Sequence, residues 1–191
     1  MIKKKVKKKQ KRKNPNLEFF ADKILSELNT DKFEFIGEGN FGEIYLFEIN
    51  QNKFFENTIL KPNRYILKVF RRTLTSIEEI NRLKILSKYG LIPKIYIITS
   101  DFIIMRYIKG ITLLKFEKYN QDNPKLIHSI LIKINNLIKK WHSLKLYHGD
   151  LGDDNILITE DNKVYFIDPY FNNHRNYNND LIYQNFLKQY L

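Results

Sequence analysis

Residues 156–158 (Ile-Leu-Ile) and 164–167 (Val-Tyr-Phe-Ile) are two short apolar runs separated by Glu160, Asp161, Asn162 and Lys163. Runs of this length, bounded by a polar turn, predict a hairpin of two buried strands. The flanking residues make this hairpin the strongest constraint on the fold. Asp150 and Asn155 precede its first strand and Asp168 follows its second. Closing the hairpin gathers two carboxylates and one amide at its mouth. Such oxygen ligands suit a hard cation, magnesium above all, held together with a phosphate-bearing substrate.

The rest of the chain supplies elements of two kinds. Residues 33–49 read F-E-F-I-G-E-G-N-F-G-E-I-Y-L-F-E-I. Gly37, Gly39 and Gly42 let the backbone turn tightly and approach a ligand, and successive N–H groups in such a bend can face phosphate oxygens. The glycines join two alternating strands here, with Ile44, Leu46 and Glu48 on one side of the second; a Rossmann loop would open a helix instead. Residues 50–63 read as a long hairpin connection. Residues 64–70 form a strand in which Lys68 alternates with Leu67 and Val69. Residues 94–99 and 101–107 are further apolar strands. Helices are predicted over 16–29, capped by Asn16, and over 76–89, capped by Thr75 or Ser76 with a stripe of Ile77, Ile80, Leu83 and Leu86. A long helix is predicted over 123–144, where Leu126, Ile130, Ile134, Leu137, Ile138 and Trp141 recur at helical spacing. Residues 172–179 read as a loop. Residues 180–191 read as a closing helix with Leu181, Ile182, Phe186, Leu187 and Tyr190 inward and Asp180 at its start. His128 and His142, fourteen residues apart, form no close metal pair, and His148 reads as a packing and hydrogen-bonding residue.

Charge separates a tail from a domain. Residues 3–13 carry nine Lys and Arg and no acid, so the remaining residues hold only +3 of the net charge of +12. Like charges in a row repel one another, which predicts a disordered basic tail over 1–15 and a folded domain over 16–191. The tail offers an electrostatic contact with nucleic acid or another acidic surface, and it has no aromatic residue for base stacking. Hydrophobic residues make up 43% of the chain, enough for a core, yet no apolar run is long enough to span a membrane. Cysteine is absent, which excludes disulfides and thiol chemistry. With no secretory signal in view, a soluble intracellular protein is expected.

The run H-G-D-L-G-D-D-N-I-L at 148–157, followed by I-D-P at 167–169, resembles the catalytic and metal-binding segments of the protein-kinase-like superfamily, H-R-D-L-x-x-x-N and D-F-G. The resemblance covers roughly residues 33–169. It implies an α+β bilobal fold. The N-lobe, over 16–107, would be an antiparallel five-stranded sheet with one αC-like helix, and a minimal, mostly helical C-lobe would fill 108–191. It implies ATP and magnesium as cofactors, with manganese as a substitute. Asp150 would be the base, Asn155 and Asp168 the metal ligands, and Lys68 the phosphate-binding lysine. Gly37, Glu38, Gly39, Asn40, Phe41, Gly42 and Ile44 would cover the nucleotide. Glu79, with Glu78 as the alternative, would pair with Lys68. Met105 would line the adenine pocket, and backbone groups of Arg106 and Ile108 would read the adenine edge. Asp180 matches a carboxylate that braces the catalytic loop in small-molecule kinases of the superfamily.

The chain also departs from the protein-kinase pattern. Gly149 and Gly152 replace an arginine and a lysine, Pro169 replaces the phenylalanine of D-F-G, and no A-P-E segment follows. These departures resemble the small atypical members: the RIO group, the small kinase of the tRNA threonylcarbamoyl-modification complex, and the lipopolysaccharide-kinase group. The implied activity is phosphoryl transfer to Ser or Thr of a protein substrate or partner. H-G-D-L and I-D-P also occur in aminoglycoside, choline and sugar kinases, so a small-molecule kinase is the alternative. A non-catalytic nucleotide-binding module is the third reading.

Overall fold

A computed structural model describes residues 15–30, 32–39, 42–71, 77–169 and 176–189. The basic tail before Pro15, Asn40, Phe41, Thr75 and Ser76, where a helix cap was expected, and Tyr190 lie outside them. Two compact units emerge: Met1–Thr75 with Tyr96–Met105, and Ser76–Ile95 with Arg106–Leu191.

In the first unit, helix α1 (Pro15–Glu27) precedes strands β1 (Lys32–Gly39), β2 (Gly42–Ile49), β3 (Lys53–Phe55), β4 (Thr58–Leu60) and β5 (Asn63–Phe70). Helix α1 starts at Pro15, whose fixed φ suits a first helical turn. Asn16 therefore sits inside the helix and does not cap it. Strands β6 (Ile95–Ile98) and β7 (Phe102–Arg106) complete a five-stranded sheet in the order β1-β2-β5-β7-β6. The β1/β2 and β2/β5 pairs are antiparallel. Strand alternation sorts the faces. Tyr45, Phe47 and Ile49 of β2 and Tyr65, Leu67 and Val69 of β5 are buried, in one core with Ala21, Ile24, Leu25 and Leu28 of α1. Ile44, Leu46 and Glu48 occupy the other side of β2 and are more exposed. The expected connection over 50–63 itself holds the β3/β4 hairpin, with Lys53 paired to Leu60. Its turn residues Glu56 and Asn57 take φ of 46° and 57°, the left-handed pair that suits a tight hairpin.

The second unit holds α2 (Ile77–Lys88), β8 (Gly110–Thr112), α3 (Leu113–Tyr119), α4 (Pro124–Ser143), β9 (Ile156–Thr159), β10 (Val164–Phe166) and α5 (Asn176–Leu187). Helix α4 is framed as its sequence dictates: Asn123 accepts a hydrogen bond from Leu126 N at 3.1 Å, and Pro124 occupies the first turn. Its buried stripe of Ile130, Leu131, Ile134, Ile138 and Trp141 contributes about 1.5–3 kcal/mol per side chain. The hairpin forms as β9 and β10, with Val164 opposite Ile158, and β8 adds a third strand along β9. Strand β8 and helix α3 fall where the sequence reading assigned no separate element. In α2, Leu83 and Leu86 are buried, but Ile77 is 68% exposed and leaves the expected stripe.

Helix α5 is the largest correction. It begins at Asn176, so residues 176–179 are helical and Asp180 lies within the helix instead of capping it. Its buried positions are Asp180, Gln184 and Leu187, while Ile182 and Phe186, expected inward, are 69% and 45% exposed.

Candidate active site

Within the second unit, the loop from His148 to Asn155 is pinned at several points. His148 is fully buried between Trp141 and Phe166, with ring centroids 5.4 and 5.8 Å away. Its Nε2 lies 2.9 Å from the carbonyl of Ile167. A carbonyl only accepts, so Nε2 carries the ring proton and buried Nδ1 is left bare and unpartnered. Burial lowers the imidazole pKa, against the smaller opposing pull of Asp180. The ring is thus a neutral strut between the loop and the segment before Asp168.

Asp180 holds the loop's backbone. Its carboxylate is buried and accepts from His148 N at 2.7 Å and Gly149 N at 2.9 Å, with His142 Nε2 at 3.4 Å. Asn179 Nδ2 donates to the Gly149 carbonyl at 2.9 Å. Gly149 takes φ of 81°, a conformation that favours glycine, which gives a physical reason for glycine at a position where the kinase motif has arginine. Asp150 follows and is exposed. A short 3-10 turn, Asp153–Asn155, then brings Asn155 back: its Nδ2 donates to the Asp150 carbonyl at 2.7 Å and to Asp150 Oδ2 at 3.2 Å.

Asp168 joins this group through the hairpin. Ile167 N donates to the Asn155 carbonyl at 2.9 Å, so the residue before Asp168 is tied both to Asn155 and to His148. Asp168 has φ of 57° although it precedes Pro169, and proline disfavours anything but extended backbone before it. Such strain costs about 1–3 kcal/mol and concentrates at functional sites. The donor set fits magnesium in kind: Asn155, whose Nδ2 is committed to Asp150, offers an amide oxygen and Asp168 a carboxylate, both hard oxygen ligands. Among the described residues no group of three or more His, Cys, Asp and Glu could hold a metal by itself. Magnesium tolerates so few protein ligands because waters and substrate phosphates fill its other positions.

Two acidic residues and a tyrosine that the sequence reading passed over lie beside this loop. Tyr183 of α5 donates its phenolic proton to Asp153 Oδ1 at 2.6 Å. Burial raises the phenol's pKa strongly, and the bond to Asp153 adds to it. Glu117 of α3 is also raised, by burial first and then by the charge of Asp153.

In the first unit, the glycine-rich bend closes with Gly39 opposite Gly42, and a bulge lies between Phe35 and Gly37. A Cβ on Gly42 would stand 2.0 Å from the Val69 carbonyl oxygen, so close strand packing forbids any side chain there. Around Gly37 nothing lies within 4 Å of such a Cβ. Glu38 pairs with Arg71 at 2.7 Å, tying the bend to the end of β5. Ile44 is opposite Lys68, which is buried with its ammonium 5.9 Å from the Phe70 ring centroid. Met105 is half-buried near the end of β7. In the second unit, Glu79 is half-buried whereas Glu78 is exposed, and Ile108 is half-buried. Arg106 N donates to the Lys94 carbonyl at 2.8 Å, so this backbone donor, one of the groups expected to read the adenine edge, is already engaged.

A family model for the RIO domain matches residues 32–173. Among curated proteins, the chain is 31% identical over 105 residues to the EKC/KEOPS complex subunit bud32 of Dictyostelium discoideum. That match covers 51% of this chain and 40% of the relative, so the chain spans less than half of that protein's length.

Proposed function

The chain belongs to the RIO domain family, within the protein-kinase-like superfamily, and from that premise we propose an ATP- and magnesium-dependent phosphotransferase acting on Ser or Thr hydroxyls of a protein. The observation that carries the proposal is the tie of Asn155 to Asp150 and of Ile167 to both Asn155 and His148. It ties Asp150, Asn155 and the residue before Asp168 into one braced group, which supports the roles read for them. In this reading Asp150 orients the acceptor hydroxyl and takes its proton as the oxygen attacks the γ-phosphorus. ADP leaves opposite, and Lys68 holds its phosphates. The Asn155 Oδ1 and Asp168 hold magnesium, which neutralises phosphate charge when bound. The glycine-rich bend covers the phosphates with backbone N–H groups.

The relative is named as a subunit of a complex, and a protein partner for this chain is part of the proposal. The basic tail adds an electrostatic contact to an acidic surface or nucleic acid. Incubation with γ-labelled ATP, magnesium and candidate proteins should label the acceptor with wild type and not with Asp150→Ala or Asp168→Ala. Equal label from all three would refute the proposal. H-G-D-L and I-D-P also suit a small-molecule kinase, which would release ADP with one member of a metabolite panel and label no protein. Absence of magnesium-dependent nucleotide binding would leave only the binding-module reading.

A further inference from the structure

We propose that Tyr183 is a positioning residue for Asn155: its hydroxyl anchors Asp153, and Asp153 opens the turn that aims the Asn155 amide. The consequence for magnesium rests on the function proposed above; the positioning does not. The 3-10 turn Asp153–Asn155 has no side-chain cap of its own, Gly152 standing at the cap position. A backbone bond from Asn155 N to the Gly152 carbonyl, 2.9 Å, closes it, and the ties to Asp150 and Ile167 hold its Asn155 end, while its Asp153 end is held from α5. Three-residue turns of this type have poor hydrogen-bond geometry and little intrinsic stability. An outside anchor on Asp153 therefore adds to the turn's stability at the end that has no cap.

Tyr183 supplies that anchor at 2.6 Å, a short bond of the kind a hydroxyl makes to a carboxylate. The phenol stays protonated, because burial and the Asp153 charge both oppose its ionisation. Helix α5 thus grips the loop at both ends. Asn179 and Asp180 hold Gly149 and His148, and Tyr183, one helical turn on, holds Asp153. Asp150 lies between the two grips and is free to face an acceptor. Asn155 emerges from the second grip already bonded to Asp150.

Tyr183→Phe removes one oxygen and keeps the ring that packs beside Phe186, 6.2 Å away. The direct readout is the Asn155 side-chain amide in a 15N NMR spectrum. Its two protons should be well separated in wild type and should move toward free-amide positions in Tyr183→Phe and Asp153→Ala, while Asp153→Asn, which keeps an oxygen acceptor, should stay close to wild type. An unchanged amide in Tyr183→Phe overturns the proposal. The linked readout is magnesium-dependent binding of a fluorescent ATP analogue. Half-saturating magnesium should rise about 10-fold in Tyr183→Phe, the order expected for lost support of a metal ligand, and no further in the double variant with Asp153→Ala. Additive losses would mean that the two residues act separately. A wild type that binds no nucleotide would sink the function above and leave the NMR comparison to decide this inference.

Discussion

Replacing Asp180 by alanine removes the acceptor from two buried backbone donors, His148 N and Gly149 N, at 2.7 and 2.9 Å. Each buried donor left unsatisfied costs about 1–3 kcal/mol, a gross loss of about 2–6 kcal/mol. Removing a carboxylate that is itself buried recovers part of its desolvation, so we expect a net loss of about 2–4 kcal/mol. For a chain of this size, roughly 2–4 °C in Tm accompanies each kcal/mol, which predicts a fall of about 5–15 °C. Asp180→Asn keeps one acceptor oxygen but turns an NH2 group toward a backbone donor, so it should fall between wild type and alanine. The chain has one tryptophan, and Trp141 packs 5.4 Å from His148, so its fluorescence follows the loop's own unit through a urea titration. The midpoint should shift with the slope unchanged. An alanine variant within about 1 kcal/mol of wild type would refute the argument, because two unpaired buried donors cannot cost so little.

Gly42→Ala should destabilise by at least about 1–3 kcal/mol, since its methyl would meet the Val69 backbone and force β2 from β5, whereas Gly37→Ala should change stability by less than about 0.5 kcal/mol. If the proposed function holds, Gly37→Ala should still raise the KM for ATP; thermal melts beside steady-state kinetics separate the two effects. His148 gives a pH prediction. Its folded-state pKa lies below the unfolded value of 6.5, so the unfolded chain binds more protons below that pH. Stability from this group is complete above 6.5 and falls as pH drops below it, by up to about 1.4 kcal/mol per pH unit, until the folded-state value is passed. Titrating the His148 ring protons by NMR checks the premise, and a transition at or above 6.5 would contradict it.

What could be read in advance follows from what each element buries. Helix α4 was legible to within a residue or two, because an apolar stripe, an Asn cap and a proline all mark it and its partners are apolar. The β9/β10 hairpin was legible for the same reason, and with it the spacing of Asp150, Asn155 and Asp168. Helix α5 was not. Apolar periodicity assumes that a buried face is an oily one, and α5 buries Asp180 and Gln184 because it docks on backbone N–H groups and on the Asn135 amide, 3.2 Å from Gln184. Leu187, expected inward, is buried, but Ile182 and Phe186, which satisfied the same periodicity, face outward. Tyr183 escaped notice on the same account: nothing in the local sequence ties it to Asp153, thirty residues earlier.

A helix that recognises a loop through fixed polar groups, not through interchangeable methyls, should tolerate few substitutions on its inner face and many on its outer one. At Asp180, Ile182, Gln184 and Phe186 that is the reverse of what hydrophobicity alone would assign. Polar docking of this kind also suits a loop that must keep Asp150 exposed. An apolar helix face would stabilise the loop only by covering it. Two carboxylate bonds and one amide hold its backbone, one phenol holds the Asp153 side chain, and Asp150 stays exposed.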